Sequence, residues 1–334
     1  SYDTLRQWAP PGRLWTYCNA GFSLAGRVVE QVTDQTFEAA IKKRLFDPLG
    51  LERSVFFAED AITWPHAIGH HLKSRMAGHT VARPYSLARN INPAGGIVSS
   101  TADLLRFARL HLGDGAYDGR QLLPAAAARQ MREPVAEAGN FGRSYGLGWS
   151  VWDVDGARIV DHGGATNGFR AQLTVVPGRG FALAQLTNGE SGAQAMAQIE
   201  TWALEHFRGL RKRIAAPVVK LAAPELAGFA GAYVRHDGRF VVTADDGCLT
   251  VTVTEIDEET GTEEAQPSLL LEPVGAQRFR SVRGATKDAI VDFLTLPADG
   301  HAPDNGHPGP NEDRRTDGVR SLLRIGGRLA ERVD

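Results

Sequence analysis

The chain is poor in the residues that would make it a small disulfide scaffold or a zinc module. It has two cysteines in 334 residues, Cys18 and Cys248, far apart and in different surroundings, which supports neither a disulfide framework nor a Cys-rich metal site. It has little charge of either sign to spare. Lys and Arg number 37 against 39 Asp and Glu, a net charge of -2, so no basic surplus points to nucleic acid. The short runs Lys42–Arg44 and Arg211–Arg213 read as helix faces or linker. No apolar run approaches the roughly 20 residues needed to span a bilayer as a helix. The opening SYDTLRQWAPPGRLW holds no initiator Met, no basic n-region and no apolar h-region, and reads as the interior of a longer protein.

What is present suits a globular protein with a sizeable core, 43% hydrophobic and 23% charged. Phe22, Leu24, Ala25, Val28, Val29 and Val32 recur at helical spacing and predict one buried helix. Phe37, Ala40, Ile41 and Leu45 predict a second, stopped by Pro48 and Gly50. A Pro-Ala-Gly-Gly turn precedes a third, N-capped by Ser100 or Thr101, with Leu104, Leu105, Phe107, Ala108 and Leu112 on its apolar face and Gly113 at its end. Residues 144–187 alternate as strands, with Asp155-Gly156 as a hairpin turn. A long amphipathic helix is expected over Ala193–Leu210. Beyond a linker at 214–224 the pattern changes to short alternating strands, an all-β module over 225–334. Within it, PADGHAPDNGHPGPNEDRRTDG is too rich in Pro, Gly and charge to add core and is expected to be a mobile loop.

Three segments carry chemistry: Tyr17-x-Asn19 just before a helix, NPAGGIVSSTADLLRF, and His162-Gly163-Gly164 in HGGATNGF at the start of a strand pair. Each has an ordinary reading. Tyr17 packs its ring and caps a loop with its hydroxyl. Asn19 is a helix N-cap. His-Gly-Gly is a turn.

Taken together and in order, the three resemble the serine β-lactamase and penicillin-recognising hydrolase superfamily, most like class C β-lactamases and their esterase and D-peptidase relatives. The resemblance covers about Leu5 to Phe207. It implies an α/β (α+β) first domain over residues 1–213, a β-lactamase-like sheet flanked by helices beside a helical region, and a small β-rich appendage. It implies a serine hydrolase acting through an acyl-enzyme on an ester, a β-lactam or a D-amino-acid peptide, with no cofactor and no metal. Small-molecule or peptide substrates are the expected partners. His in place of the Lys of Lys-Thr-Gly leaves an esterase or peptidase open rather than a dedicated β-lactamase.

The resemblance also assigns roles. Tyr17 exchanges a proton with nucleophile and leaving group, which requires nearby positive charge because a free phenol titrates near 10. Asn19 hydrogen-bonds a substrate amide or orients a neighbouring lysine. His162 donates to a substrate carboxylate or joins the proton relay. Gly163 and Gly164 bare the backbone for a substrate, and the N–H of Ala165 becomes an oxyanion donor.

The family's nucleophile, the Ser of Ser-x-x-Lys, is missing. The residues three before Lys42, Lys43, Lys73, Lys212, Lys220 and Lys287 are Ala39, Ala40, His70, Gly209, Pro217 and Gly284. In the family that motif lies upstream of Tyr-x-Asn. Three other readings stay open. Gly189-x-Ser191-x-Ala193 between strand and helix has the setting of an α/β-hydrolase nucleophile elbow, or is simply a helix cap. His66, His70 and His71, with His79 nearby, suggest a metal site, against which Pro65, Gly69 and Gly78 break any helix that would align them. The scaffold without its serine serves as a binding module.

Overall fold

A computed structural model describes residues 7–74, 78–139, 144–212, 217–257, 260–283, 287–297 and 319–334. The expected mobile loop lies almost wholly outside them. The chain divides into two compact units, one of Cys18–Val135 with Tyr145–Lys212, the other of Ser1–Tyr17, Ala136–Ser144 and Arg213–Asp334.

The first of these is a helix–sheet–helix sandwich with a helical annex. Its main helices are α1 (Asn19–Thr33), α2 (Phe37–Ile41, running on through a π-turn at Lys42–Phe46), α3 (Thr101–Leu112) and α4 (Gly192–Arg208). Its main strands are the hairpin β1 (His70–Ser74) and β2 (Gly78–Val81), then β3 (Ser144–Tyr145), β4 (Ser150–Val154), β5 (Ala157–Thr166), β6 (Phe169–Val176) and β7 (Phe181–Thr187). The last five form one sheet in chain order. Asp155-Gly156 makes the β4–β5 turn with both residues at positive φ, 48° and 72°, as a type I′ hairpin requires.

The pleat sends alternate residues to opposite faces. Val160, Leu173 and Val175 pack with Ala108 of α3. Ile159 and Val176 pack with Leu204 and Leu210, in and beyond α4. The sheet is therefore buried on both sides, one helix to each. Ser100 caps α3, its hydroxyl accepting from the Asp103 N–H at 3.2 Å. Leu105, assigned to the apolar face of α3, is instead 40% exposed, and Leu110 and His111 are buried.

Helix α1 departs further from expectation. Phe22, Leu24, Val28 and Val32 are 47 to 80% exposed. The side that packs is the one bearing Gly26, where an added Cβ would stand 2.2 Å from Pro93. The PAGG turn is itself one short helical turn, Asn92–Gly95. Buried Asn92 donates to Glu38 of α2 at 2.8 Å.

The other unit is a closed eight-stranded antiparallel barrel, β8 (Gly231–Arg235), β9 (Gly238–Asp245), β10 (Cys248–Ile256), β11 (Glu263–Pro273), β12 (Arg278–Ser281), β13 (Ile290–Pro297), β14 (Val319–Ile325) and β15 (Arg328–Arg332). Each strand pairs with the next, and β8 with β15 closes the ring. In β9 Phe240 and Val242 point in while Arg239 and Val241 point out. Tyr233, Phe279 and Phe293 lead the interior. Closure gives every strand a paired neighbour on both sides over at least part of its length, which is how a small sheet of this kind limits edge-to-edge association.

Candidate active site

His162, Gly163, Gly164 and Ala165 do not open a strand and do not form a turn. They lie in the second half of the ten-residue β5, and the turn follows at Asn167-Gly168. Strand β4 pairs with β5 only from Ala157 to Asp161. Strand β6 pairs with it as far as Thr166. From His162 to Thr166, among the described residues, one edge of β5 is laddered and the other has no strand against it. Half of the backbone N–H and C=O groups there face that open edge.

The glycines are not demanded by the fold. Neither has a positive φ. A Cβ on Gly164 would meet only Ala171 Cβ at 3.5 Å, an ordinary contact. A Cβ on Gly163 would stand 2.7 Å from the Gln172 side-chain oxygen, the far end of a flexible side chain. Gly163, Gly164 and Ala165 are all exposed. What glycine provides at these places is room for something from outside.

His162 is half-buried on the same strand. Burial pushes its pKa down, against the neighbouring Asp161 charge and a hydrogen bond with the Gly163 backbone, and the net direction is below the ordinary 6.5. At neutral pH it is an uncharged imidazole, able to donate at one nitrogen and accept at the other.

Asn19 is exposed in the first turn of α1. It is not the cap. That place belongs to Cys18, whose Sγ accepts from the Gly21 N–H at 3.3 Å. Tyr17 belongs to the unit of the barrel. Its N–H donates to the Gly327 carbonyl at 2.8 Å, and the Arg328 guanidinium stands 5.9 Å from its ring centre.

The histidine-rich segment is a hairpin against the β7–α4 turn rather than a helix. His66 Nδ1 lies 3.0 Å from the Trp64 carbonyl in a loop, His70 Nδ1 3.2 Å from the Asn188 carbonyl, and His71 Nδ1 2.9 Å from Glu190 Oε1. Among the described residues no three His, Cys, Asp or Glu side chains are grouped to hold a metal ion. Ser191 occupies the N-cap position of α4, yet its hydroxyl does not cap. It meets His79 Nε2 at 3.1 Å.

One group escaped the pattern reading. Lys212, in a basic run read as helix face or linker, is part-buried with its ammonium 2.6 Å from Asp161 and 2.8 Å from Glu200. A signal was available: Gly209 ends α4 and reverses the chain just before it.

Residues 1–206 match the Beta-lactamase family, and the chain belongs to that family. It is 35% identical over 235 residues to "Penicillin-binding protein 4" of Amycolatopsis lactamdurans, covering 69% of this chain and 62% of that one. It is 25% identical over 190 residues to a "D-aminopeptidase" of Cereibacter sphaeroides, covering 56% of this chain and 34% of that one. A solved structure of SurE bound to D-Leu superposes with a TM-score of 0.66 at 25% identity, covering 100% of this chain and 74% of that one. The chain thus spans about a third to three-quarters of the length of these relatives.

Proposed function

We propose that this chain supplies the substrate-binding strand of a serine hydrolase that works through an acyl-enzyme on a D-amino-acid amide or peptide, or a related ester. The observation that carries the reading is the open edge of β5 at His162–Thr166, bared by glycines that neither packing nor backbone conformation requires. An acyl group laid along that edge meets backbone donors, and the N–H of Ala165 serves as one half of an oxyanion hole. One such donor contributes about 3 kcal/mol to the transition state. Neutral His162 hydrogen-bonds the substrate or relays a proton. Tyr17 takes the proton from the attacking serine and returns it to the leaving group. Relatives named D-aminopeptidase, and the D-Leu held by SurE, support the substrate class.

A second reading is a non-catalytic binding module. It is favoured by one fact, that no lysine of this sequence has Ser three residues before it. Sequencing the complete coding region separates the two. Ser-x-x-Lys ahead of Tyr17 supports the hydrolase, and its loss or alteration supports the binder. In a protein carrying that motif, Tyr17→Phe is expected to cut turnover by at least about a hundredfold, the scale of a lost acid–base group. Near-normal turnover would remove Tyr17 from the mechanism.

A further inference from the structure

We propose that Lys212 is a positioning residue for the substrate-binding strand, holding β5 at Asp161 and thereby setting the place of His162, Gly163 and Gly164. The role assigned to that strand rests on the hydrolase reading above.

The geometry begins at the end of α4. Gly209 closes the helix at φ 66°, its N–H donating to the Glu205 carbonyl at 2.9 Å, a left-handed cap that suits glycine. The reversal buries Leu210 against Ile159 and Val176. Two residues later it brings Lys212 beneath the sheet. The ammonium there touches Asp161 of β5 at 2.6 Å and Glu200 of α4 at 2.8 Å. Thr174 of β6 donates to the same Glu200 oxygen. The Trp152 ring of β4 lies 5.4 Å from the ammonium. One part-buried cation therefore gathers three adjacent strands and a helix at a single point.

That point is well placed. Asp161 and Thr174 are register partners and share a face. Asp161 is also the last residue of β5 paired to β4. The open edge starts at the next residue. Where the ladder on one side stops, the Lys212 contact takes over as the anchor. Asp161 and His162 point to opposite faces, so the anchor and the His162 ring lie on different sides of the sheet.

Stability alone is a poor account of such a group. A largely enclosed lysine with two carboxylates carries a net charge of -1, and apolar replacement of enclosed ion pairs is often neutral or stabilising. The cluster fixes a position that an apolar cluster would leave to slide.

The test uses this chain, isotopically labelled, and needs no turnover. Lys212→Met leaves two carboxylates buried without a cation. The triple variant Asp161→Asn, Glu200→Gln, Lys212→Met removes all three charges and guards against a Lys212→Met chain that fails to fold. Two readouts apply to the folded triple variant: amide hydrogen exchange along β5, and the imidazole nitrogen shifts of His162. The proposal expects exchange to rise at least tenfold at those amides of His162–Thr166 that are laddered to β6, and the His162 shifts to change, while barrel amides keep wild-type protection. Wild-type exchange and wild-type His162 shifts in the triple variant would overturn it, because Lys212 would then only balance charge. Failure of the hydrolase reading would show elsewhere, as a complete coding region without Ser-x-x-Lys, and leaves these readouts untouched.

Discussion

Gly164 separates a residue kept for the fold from one kept for access. Its added methyl would rest at 3.5 Å from Ala171 Cβ, so Gly164→Ala is expected to leave the thermal midpoint of the isolated chain nearly unchanged. In a nucleophile-bearing form the same methyl would stand where the acyl group must approach. Acyl transfer is then expected to fall about a hundredfold, as misplacement by one ångström does elsewhere. Gly26 is the opposite case. Pro93 Cγ and Cβ lie 2.2 and 2.6 Å from where its Cβ would be. Gly26→Ala is expected to cost about 1–3 kcal/mol by overpacking, measured by urea denaturation. A loss from Gly164→Ala as large as that from Gly26→Ala would remove the distinction.

Among the elements, helix α3 carries a group that makes stability depend on acidity. His111 is buried against Phe107 and Trp149. Burial first, and the nearby Arg132 charge second, push its pKa down to about 4. Below the ordinary value of 6.5 the unfolded chain binds a proton that the folded chain refuses. Its contribution is therefore complete above pH 6.5 and is lost as pH falls toward 4, about 3 kcal/mol in all. Denaturant midpoints between pH 7.5 and 4.5 should decline for the wild type and decline less for His111→Phe. Parallel curves would contradict the assignment.

The elements also mark where the sequence was readable. The Asp155-Gly156 hairpin, the Ser100 cap and α4 follow from turn chemistry, capping and helical period, all local signals. The alternation of residues 231–332 announces strands, but closure into a barrel depends on β8 meeting β15, a pairing across nearly a hundred residues that no local period contains. Periodicity placed α1 and could not say which side would be covered, because a single glycine, Gly26, against Pro93 leaves no hydrophobic signal. Of the candidate site, His162 to Ala165 was found by motif. Its place in mid-strand was obscured because two glycines read as punctuation when the strand in fact runs through them. Lys212 was hidden because a basic run looks alike whether solvated or buried.

At the scale of the whole molecule, a double-wrapped sheet carries an exposed, glycine-bared strand edge, and a closed barrel forms the other unit. The central claim is that this edge serves a serine supplied by a Ser-x-x-Lys segment and not by Ser191, despite its contact with His79. Denaturing intact-mass spectrometry of the protein from its native source, with and without a fluorophosphonate serine probe, tests this most directly. The account predicts no label on a 36.1 kDa species of this sequence, and label on a heavier species or companion polypeptide that carries Ser-x-x-Lys. Label on the 36.1 kDa chain itself, lost on Ser191→Ala, would contradict it and move the nucleophile to the β7–α4 turn.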